Sequence, residues 1–279
     1  MIAIRALRAA KELGYQVASV YSTVDKDQKH LKLSDEAICI GPAISKDSYL
    51  NEAAIISAAE LVGADAIYPG YGFLAENSAF AEKCNESGFK FIGPDPKVIE
   101  IMGDKIRAKE LIESLGVPVV PGYTGKIDSQ DQIEKVVNDI GYPVIVKATA
   151  GGGGKGMRVV NEENELWDSV VSAQNEAQRA FGNGEVFIEK YLKKPRHIEI
   201  QVFGDGHGKV VHLYSRDCSL QRRYQKIIEE APAKNLPSDK LEEIQQICVK
   251  ACSELKYEGA GTLEFLYENN EFYFIEMNT

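Results

Sequence analysis

The sequence predicts a mixed chain, α/β in its first third and α+β beyond. A doubly wound parallel N-terminal domain leads into a small strand-rich region, and the chain ends in an antiparallel sheet. Three observations carry this. The first hundred residues alternate apolar, strand-like runs with helical stretches of about 10 to 15 residues, the pattern of βαβ units. The run "TAGGGGKGMRVV" sits between two apolar segments and reads as a loop joining two strands. From Arg196 onward, strand-like segments are separated by short glycine or asparagine turns, as in hairpins.

In order, "IAIRALRAAKELG" reads as an amphipathic helix closed by Gly14. "YQVASVYS" and "LSDEAICIG" are strands, "SYLNEAAIISAAELVGA" a long helix and "DAIYPG" a strand. "LAENSAFAEKCNESG" is a helix before the strand "FKFIGP". Residues from about 95 to 116 form two helices around "MGDK", ending at Gly116 and Pro118. Short strands and one helix precede the glycine run, and "ENELWDSVVSAQNEAQRAFG" is a helix after it. "GEVFIEKYL" is a strand running into a polar tether. "HIEIQVFGDGHGKVVHLYSRD" is a hairpin about Gly204–Gly208, "SDKLEEIQQICVKACSELK" a helix, and "GTLEFLYENNEFYFIEMNT" a closing hairpin. The expected domains are 1–102 (N-terminal α/β), 103–118 (helical connector), 119–189 (the glycine-loop domain) and 190–279 (the C-terminal sheet). The chain opens on a helix where an α/β domain normally opens on a strand, which suggests that a first strand is missing.

Composition narrows the function. The 279 residues are 44% hydrophobic and 27% charged, an ordinary globular balance. A net charge of −10 disfavours a nucleic-acid or anionic-membrane binder. The basic clusters in "QRRYQK" and "KKPR" are too short to reverse that. There is no signal peptide and no apolar run near ~18 residues. The five cysteines are odd in number with no CxxC spacing, so Cys248 and Cys252 read as core packing in a reducing, cytoplasmic compartment.

The glycine run formally satisfies GxGxxG at Gly151, Gly153 and Gly156, but a strand follows it, whereas the dinucleotide fingerprint opens a helix. The Walker A pattern fails because Thr149 stands six residues before Lys155, where glycine is required. What remains is a hairpin able to lie over a polyphosphate, as the glycine loop of kinases does, with backbone N–H groups unshielded by Cβ atoms. Lys147 precedes it as a candidate phosphate ligand. The bland alternative is a flexible solvent loop.

The closing hairpin is constrained by register. A two-residue turn at Asn269–Asn270 sets Glu264 opposite Ile275 and mixes charge into both faces. A three-residue turn (Asn269, Asn270, Glu271) sets Glu264 opposite Glu276. It leaves Leu263, Phe265, Tyr267, Tyr273, Ile275 and Met277 on one face, with Glu264, Glu276, Leu266 and Phe274 on the other. The three-residue turn is therefore expected. Opposed carboxylates repel, and a divalent cation, with Asn278 adding an oxygen, is the natural compensation.

These segments, with "IYPGYGFLAEN", "MGDK", "GYPVIVKATAGGGGKGMRVV", "IEKYL", "PRHIEIQVFGD", "RDCSLQRRYQK" and "EEAPA" in this order, resemble the ATP-grasp superfamily and, within it, the biotin carboxylases. The resemblance covers the whole chain. It implies an ATP-grasp lid carrying the glycine loop, and ATP held between lid and C-terminal sheet. It also implies that ATP activates bicarbonate to carboxyphosphate, whose CO₂ passes to biotin on a carrier protein. Lys105 and Lys147 would then contact ATP phosphates, under a loop containing Gly153 and Gly154. Glu189, Lys190, Tyr191 and Leu192 would form the adenine hinge, and His197, Gln221 and Tyr224 would face the nucleotide. Tyr224 stands where the family usually has histidine. Lys226 would bind bicarbonate, and Glu264, Glu276 and Asn278 would hold Mg²⁺ or Mn²⁺. The implied partners are a biotin carboxyl carrier, a carboxyltransferase and, in the full-length form, a second copy.

The family also has a strand before "IAIR" and, after "EMNT", an arginine and a glutamate that anchor and deprotonate bicarbonate. The chain therefore reads as a fragment expected to be weak or inactive alone and marginally stable. Two other readings stand beside it. One is another ATP-grasp ligase such as carbamoyl-phosphate synthetase, separable by ammonia dependence. The other is a non-catalytic nucleotide-binding homologue.

Overall fold

The computed structural model describes residues 2–127, 129–149, 156–222 and 225–279. Gly153, Gly154 and Tyr224 lie outside the described residues. The chain divides into two compact units, Met1–Glu100 and Ile101–Asn278.

The first unit carries α1 (Ile2–Glu12), β1 (Ala18–Ser22), β2 (Glu36–Gly41), α2 (Glu52–Leu61), β3 (Ala66–Ile67), α3 (Ser78–Glu86) and β4 (Lys90–Phe91). Its strands pair in parallel, β1 with β2 and β3 with β4. The two pairs are not hydrogen-bonded to each other among the described residues. The helix starts obey side-chain capping: Asn51 accepts from the Ala54 amide and Asn77 from the Phe80 amide, each satisfying a donor the helix cannot. Ile56, Leu74, Phe80, Cys84, Phe91 and Ile99 close the core of this unit.

The unit boundary falls inside α4 (Pro96–Gly103). The second unit then holds α5 (Lys105–Ser114), β5 (Gly122–Tyr123), α6 (Gln130–Ile140), β6 (Val144–Ala148), β7 (Met157–Val160), α7 (Leu166–Phe181) and β8 (Val186–Lys190). After these come β9 (Arg196–Asp205), β10 (Val210–Arg222), β11 (Gln225–Glu230), α8 (Ser238–Glu254), β12 (Glu258–Glu268) and β13 (Glu271–Asn278). A four-stranded sheet runs β5-β8-β6-β7 and a five-stranded sheet β11-β10-β9-β12-β13. β6 and β7, which flank the glycine run, are antiparallel neighbours.

Periodicity explains the smaller sheet. Ile133 and Val137 of α6, and Leu166, Val170 and Ala173 of α7, recur at helical spacing and cover Val144, Val146, Val160 and Ile188. Burial of each such side chain contributes about 1.5–3 kcal/mol. α7 stops where Gly182 takes the left-handed conformation (φ 73°).

The closing hairpin corrects the expected turn. Its turn has two residues, Asn269 and Asn270, both at positive φ (54° and 65°), as a twisted two-residue hairpin requires. The register then slips between Glu264 and Phe265: Phe265 pairs with Phe274 but Glu264 with Glu276, leaving Ile275 as a bulge. The expected opposition of Glu264 and Glu276 holds for a different reason. The expected faces do not hold: Phe274 is fully buried and meets Phe265 at 6.1 Å between ring centroids, on the apolar side.

The cysteines occupy distinct environments. Cys39 is exposed, and Cys84, Cys218, Cys248 and Cys252 are buried. Burial, then the Glu52 charge, pushes the Cys84 thiol up to about 11. Burial, then Glu199, pushes Cys218 to about 12, and burial alone takes Cys252 to about 12. Since the thiolate is the nucleophile, maleimide at pH 8 is expected to label Cys39 and spare the other four under native conditions. Peptide mapping that finds Cys84 or Cys218 modified at a comparable rate would contradict this placement.

Candidate active site

All described candidate residues belong to the second unit. At the end of β8, Glu189 pairs in register with Ile145 of β6 and Gly122 of β5. Gly122 must lack a side chain here, because a Cβ would lie 2.5 Å from the Ile188 carbonyl oxygen. Glu189 is only 2% exposed. Its Oε2 lies 2.6 Å from Lys147 Nζ, and its Oε1 is in contact with Lys109 Nζ. Burial, then the charge of Lys105, lowers the Lys147 pKa to about 8, while Glu276 opposes. Lys105, Lys147 and Glu276 thus share one electrostatic neighbourhood. Lys105 opens α5, whose first amides are capped by Asp104.

Lys190 turns away from this cluster. Its ammonium donates to the carbonyls of Gly141 and Tyr142 at 2.8 and 3.0 Å. The Tyr191 amide donates to the Pro143 carbonyl at 3.0 Å. The segment between β8 and β9 is thus held by the Lys190 ammonium, the Tyr191 amide and the Lys194 amide, which donates to Glu268 Oε1 at 2.5 Å.

The larger sheet holds the rest in a single row. Arg216 of β10 faces Glu199 of β9, Glu199 faces Glu264 of β12, and Glu264 faces Glu276 of β13. Three carboxylates thus lie side by side across three strands, where like charges would destabilise the sheet unless compensated. Compensation is visible on two of them. Arg216 Nη2 is 2.5 Å from Glu199 Oε2. Lys226 Nζ is 2.5 Å from Glu264 Oε1 and also contacts Glu199. His197 Nε2 lies 2.8 Å from Glu264 and 3.4 Å from Glu199, and its Nδ1 is 3.0 Å from Gln221 Nε2. Asn278 Nδ2 donates to Glu264 Oε1 at 2.5 Å.

The titration behaviour follows. Burial alone would raise the Glu199 carboxyl, but hydrogen bonds from His197, Lys226 and Arg216 pull it far below the usual range. Glu264 is lowered by His197 and Lys226 against burial. Burial disfavours the charged form of His197, yet Glu199 and Glu264 outweigh it and carry the ring to about 9. Glu276 goes the other way: loss of water on its protein side, then the charge of Glu264, pushes it up. It retains an exposed edge.

A divalent cation fits here by the chemistry of its donors. Glu264 and Glu276 are opposed oxygen donors, the second pushed up by burial and then by the charge of Glu264, with Asn278 beside them. A second grouping, His197, Glu199 and Glu264, brings its ligand atoms within 4.8 Å of one another. It is already crowded by Arg216 and Lys226, so it suits an anion-facing array better than a metal.

Sequence reasoning missed Glu199, Arg216 and Lys109. The alternation "HIEIQV" marks Glu199 as sharing a strand face with His197, which was the available signal. Arg216 and Lys109 gave none.

Residues 1–99 match the family model for the biotin carboxylase N-terminal domain, and residues 104–279 match that of the carbamoyl-phosphate synthase L chain, ATP-binding domain. The biotin carboxylase of Haemophilus influenzae is 56% identical over all 279 residues, and the chain spans 62% of that relative's length. A crystal structure of a Campylobacter jejuni biotin carboxylase–β,γ-ATP complex superposes with a TM-score of 0.92 at 52% identity, covering all of this chain and 63% of that one. The biotin carboxylase domain dimer of Hydrogenobacter thermophilus 2-oxoglutarate carboxylase, crystallised with MgADP, ADP and bicarbonate, gives 0.89 at 49%, covering all of this chain and 61% of that one. Joining a biotin carboxylase N-terminal domain to an ATP-binding domain of the carbamoyl-phosphate synthase type, the chain belongs to the biotin carboxylase family of ATP-grasp proteins.

Proposed function

We propose that the protein of which this chain is part carboxylates biotin on a carrier protein at the expense of ATP and bicarbonate. The observation that carries this reading is the row Arg216–Glu199–Glu264–Glu276 with Lys226 and His197 laid against it. Cations and carboxylates alternate over a few ångströms, as a site must be built to hold a metal–polyphosphate and a small anion together.

In this reading Lys105 and Lys147 bind ATP phosphates beneath the glycine loop, including Gly153 and Gly154. Glu189, Lys190, Tyr191 and Leu192 hold adenine, largely through backbone groups. His197, Gln221 and Tyr224 border the nucleotide. Glu264, Glu276 and Asn278 hold Mg²⁺ or Mn²⁺, which when bound offsets charge on the phosphates. Lys226 presents its ammonium to bicarbonate. A bicarbonate oxygen attacks the γ-phosphorus, ADP leaves, and the carboxyphosphate formed delivers its CO₂ to biotin N1 with release of phosphate. The domains follow as 1–102, 103–118, 119–189 and 190–279. A biotin carboxyl carrier supplies the acceptor, a carboxyltransferase consumes the product, and the full-length protein pairs with a second copy.

The test is ADP formation by the full-length protein with bicarbonate and Mg²⁺, with and without free biotin. Biotin-stimulated turnover is expected. Turnover indifferent to biotin and raised by ammonia would overturn the assignment in favour of carbamoyl-phosphate chemistry. Tight MgATP binding without turnover would leave only a nucleotide-binding homologue.

A further inference from the structure

The buried trio Lys109–Glu189–Lys147 has more positive charge than its carboxylate needs. Both ammonium groups lie on Glu189, one on each oxygen. They are not equivalent. Lys109 projects from the middle of α5, its side chain is 9% exposed, and its ammonium stands 5.3 Å from the Phe187 ring centroid. That ring face favours a cation. Lys147 has 22% of its side chain exposed and sits two residues before Thr149, at the edge where the glycine run begins.

We propose that Lys109 is the resident counter-ion of Glu189, which frees Lys147 to leave that carboxylate and engage the nucleotide phosphates. Lys109 is a positioning residue and touches no substrate. The proposal rests on the reading of Lys147 as a phosphate ligand.

The physical argument is one of exchange. When Lys147 swings to a phosphate, Glu189, only 2% exposed and closely approached by Gly122, loses one of two partners. A buried carboxylate left with no partner is strongly unfavourable. With Lys109 in place the departure leaves a balanced pair. Without it, Lys147 is the cation left in contact with Glu189 among the described residues, and phosphate must compete for it. Repulsion acts in the same direction: burial first, then the charges of Lys147 and Lys105, bring Lys109 down to about 7, with Glu113 opposing. Removing Lys147 to a phosphate relieves that repulsion.

The experiment measures ATP and adenosine affinities calorimetrically on the full-length protein at pH 7. Adenosine carries the base and sugar without phosphates, so it reports the hinge alone. Lys109→Met is expected to weaken ATP about tenfold or more, equivalent to about 1.4 kcal/mol, with adenosine unchanged. Lys109→Arg is expected to restore most of the loss. Lys109→Met combined with Glu189→Gln is expected to recover ATP binding, because a neutral amide no longer holds Lys147. If Lys109→Met is too unstable to measure, the arginine variant and the double variant decide.

Wild-type ATP affinity in Lys109→Met, with Lys147→Met clearly weakened, would overturn the proposal and leave the phosphate role of Lys147 intact. Equal loss of ATP and adenosine would make Lys109 merely structural, and failure of the double variant to recover would do the same. ATP affinity unchanged in Lys147→Met would overturn the phosphate reading itself, and the proposal with it.

Discussion

Glu264→Gln is expected to reduce ATP turnover by about 10²–10³-fold, the scale of losing one preorganised electrostatic group in a site of this kind. Glu264 is 2% exposed and receives Lys226, His197 and Asn278 at 2.5 to 2.8 Å. An amide keeps the shape and loses the charge. On the proposed reading the loss acts twice: a divalent ion held there would forfeit a buried anionic ligand, and Lys226 would be drawn wholly onto Glu199, which it already contacts. Folding should suffer less than the burial suggests, since Glu199 still balances Lys226 and Glu276 is relieved of its neighbour's repulsion. The measurement is ATP affinity against Mg²⁺ concentration. The variant should need far more Mg²⁺ for half-saturation while binding metal-free ATP nearly as the wild type does. An unchanged Mg²⁺ dependence would remove Glu264 from the metal site. Glu276→Gln should do less harm, because that carboxylate keeps an exposed edge where water can substitute.

The contrast between Glu264 and Glu199 shows what a linear sequence can carry. Glu264 and Glu276 stand on one hairpin, so a short loop limits their pairing to two registers, and burial of one face selects between them. Even so, the route was different from the expected one: Asn269–Asn270 is chemically a two-residue turn, and the bulge at Ile275 restores the pairing that a three-residue turn would have given. A bulge costs one unpaired residue and leaves no mark in an alternating pattern. Glu199 lies on a strand whose partner β12 follows after two strands and a helix. Alternation places it on the polar face beside His197 but does not say which residue will lie across from it. Lys109 was illegible for another reason. A lysine one turn into a helix ordinarily extends to solvent, and only the arrival of β8 buries it. The β10–β11 hairpin also passed unread as a pair of strands: Leu220, Ile227 and Ile228 are apolar but remain more than half exposed, so no burial pattern announces it. The glycine terminators Gly14 and Gly116 were legible because their chemistry is local, both taking a positive φ of 84°.

Gly204→Ala is expected to destabilise the second unit by ~3 kcal/mol or more, the upper range for forcing extra volume into packed structure. A Cβ on Gly204 would lie 2.0 Å from the Tyr257 carbonyl oxygen and 2.9 Å from its carbon. These are backbone atoms and cannot be rotated aside. That oxygen accepts from the Gly206 amide, and the Tyr257 amide donates to the Cys252 carbonyl at the end of α8. The Tyr257 side chain is completely buried. Displacing this residue therefore pulls on the hairpin turn, the helix terminus and the core together. In a unit this large, ~3 kcal/mol corresponds to a fall of roughly 6–12 °C in melting temperature. Gly116→Ala provides the comparison. It carries a positive φ (84°) with nothing within 4 Å of the added atom, so it should cost only the left-handed conformational penalty of ~1–2 kcal/mol. A Gly204→Ala variant melting no lower than Gly116→Ala would show that β9 can slide away from Tyr257. Such sliding has a functional reading, because Gly204 lies on the strand that carries His197 and Glu199. A shift by one residue would turn both side chains to the opposite face and dismantle the row. If the strand is as fixed as its neighbours make it, the variant instead keeps MgATP affinity at low temperature and loses it cooperatively at its lowered melting point.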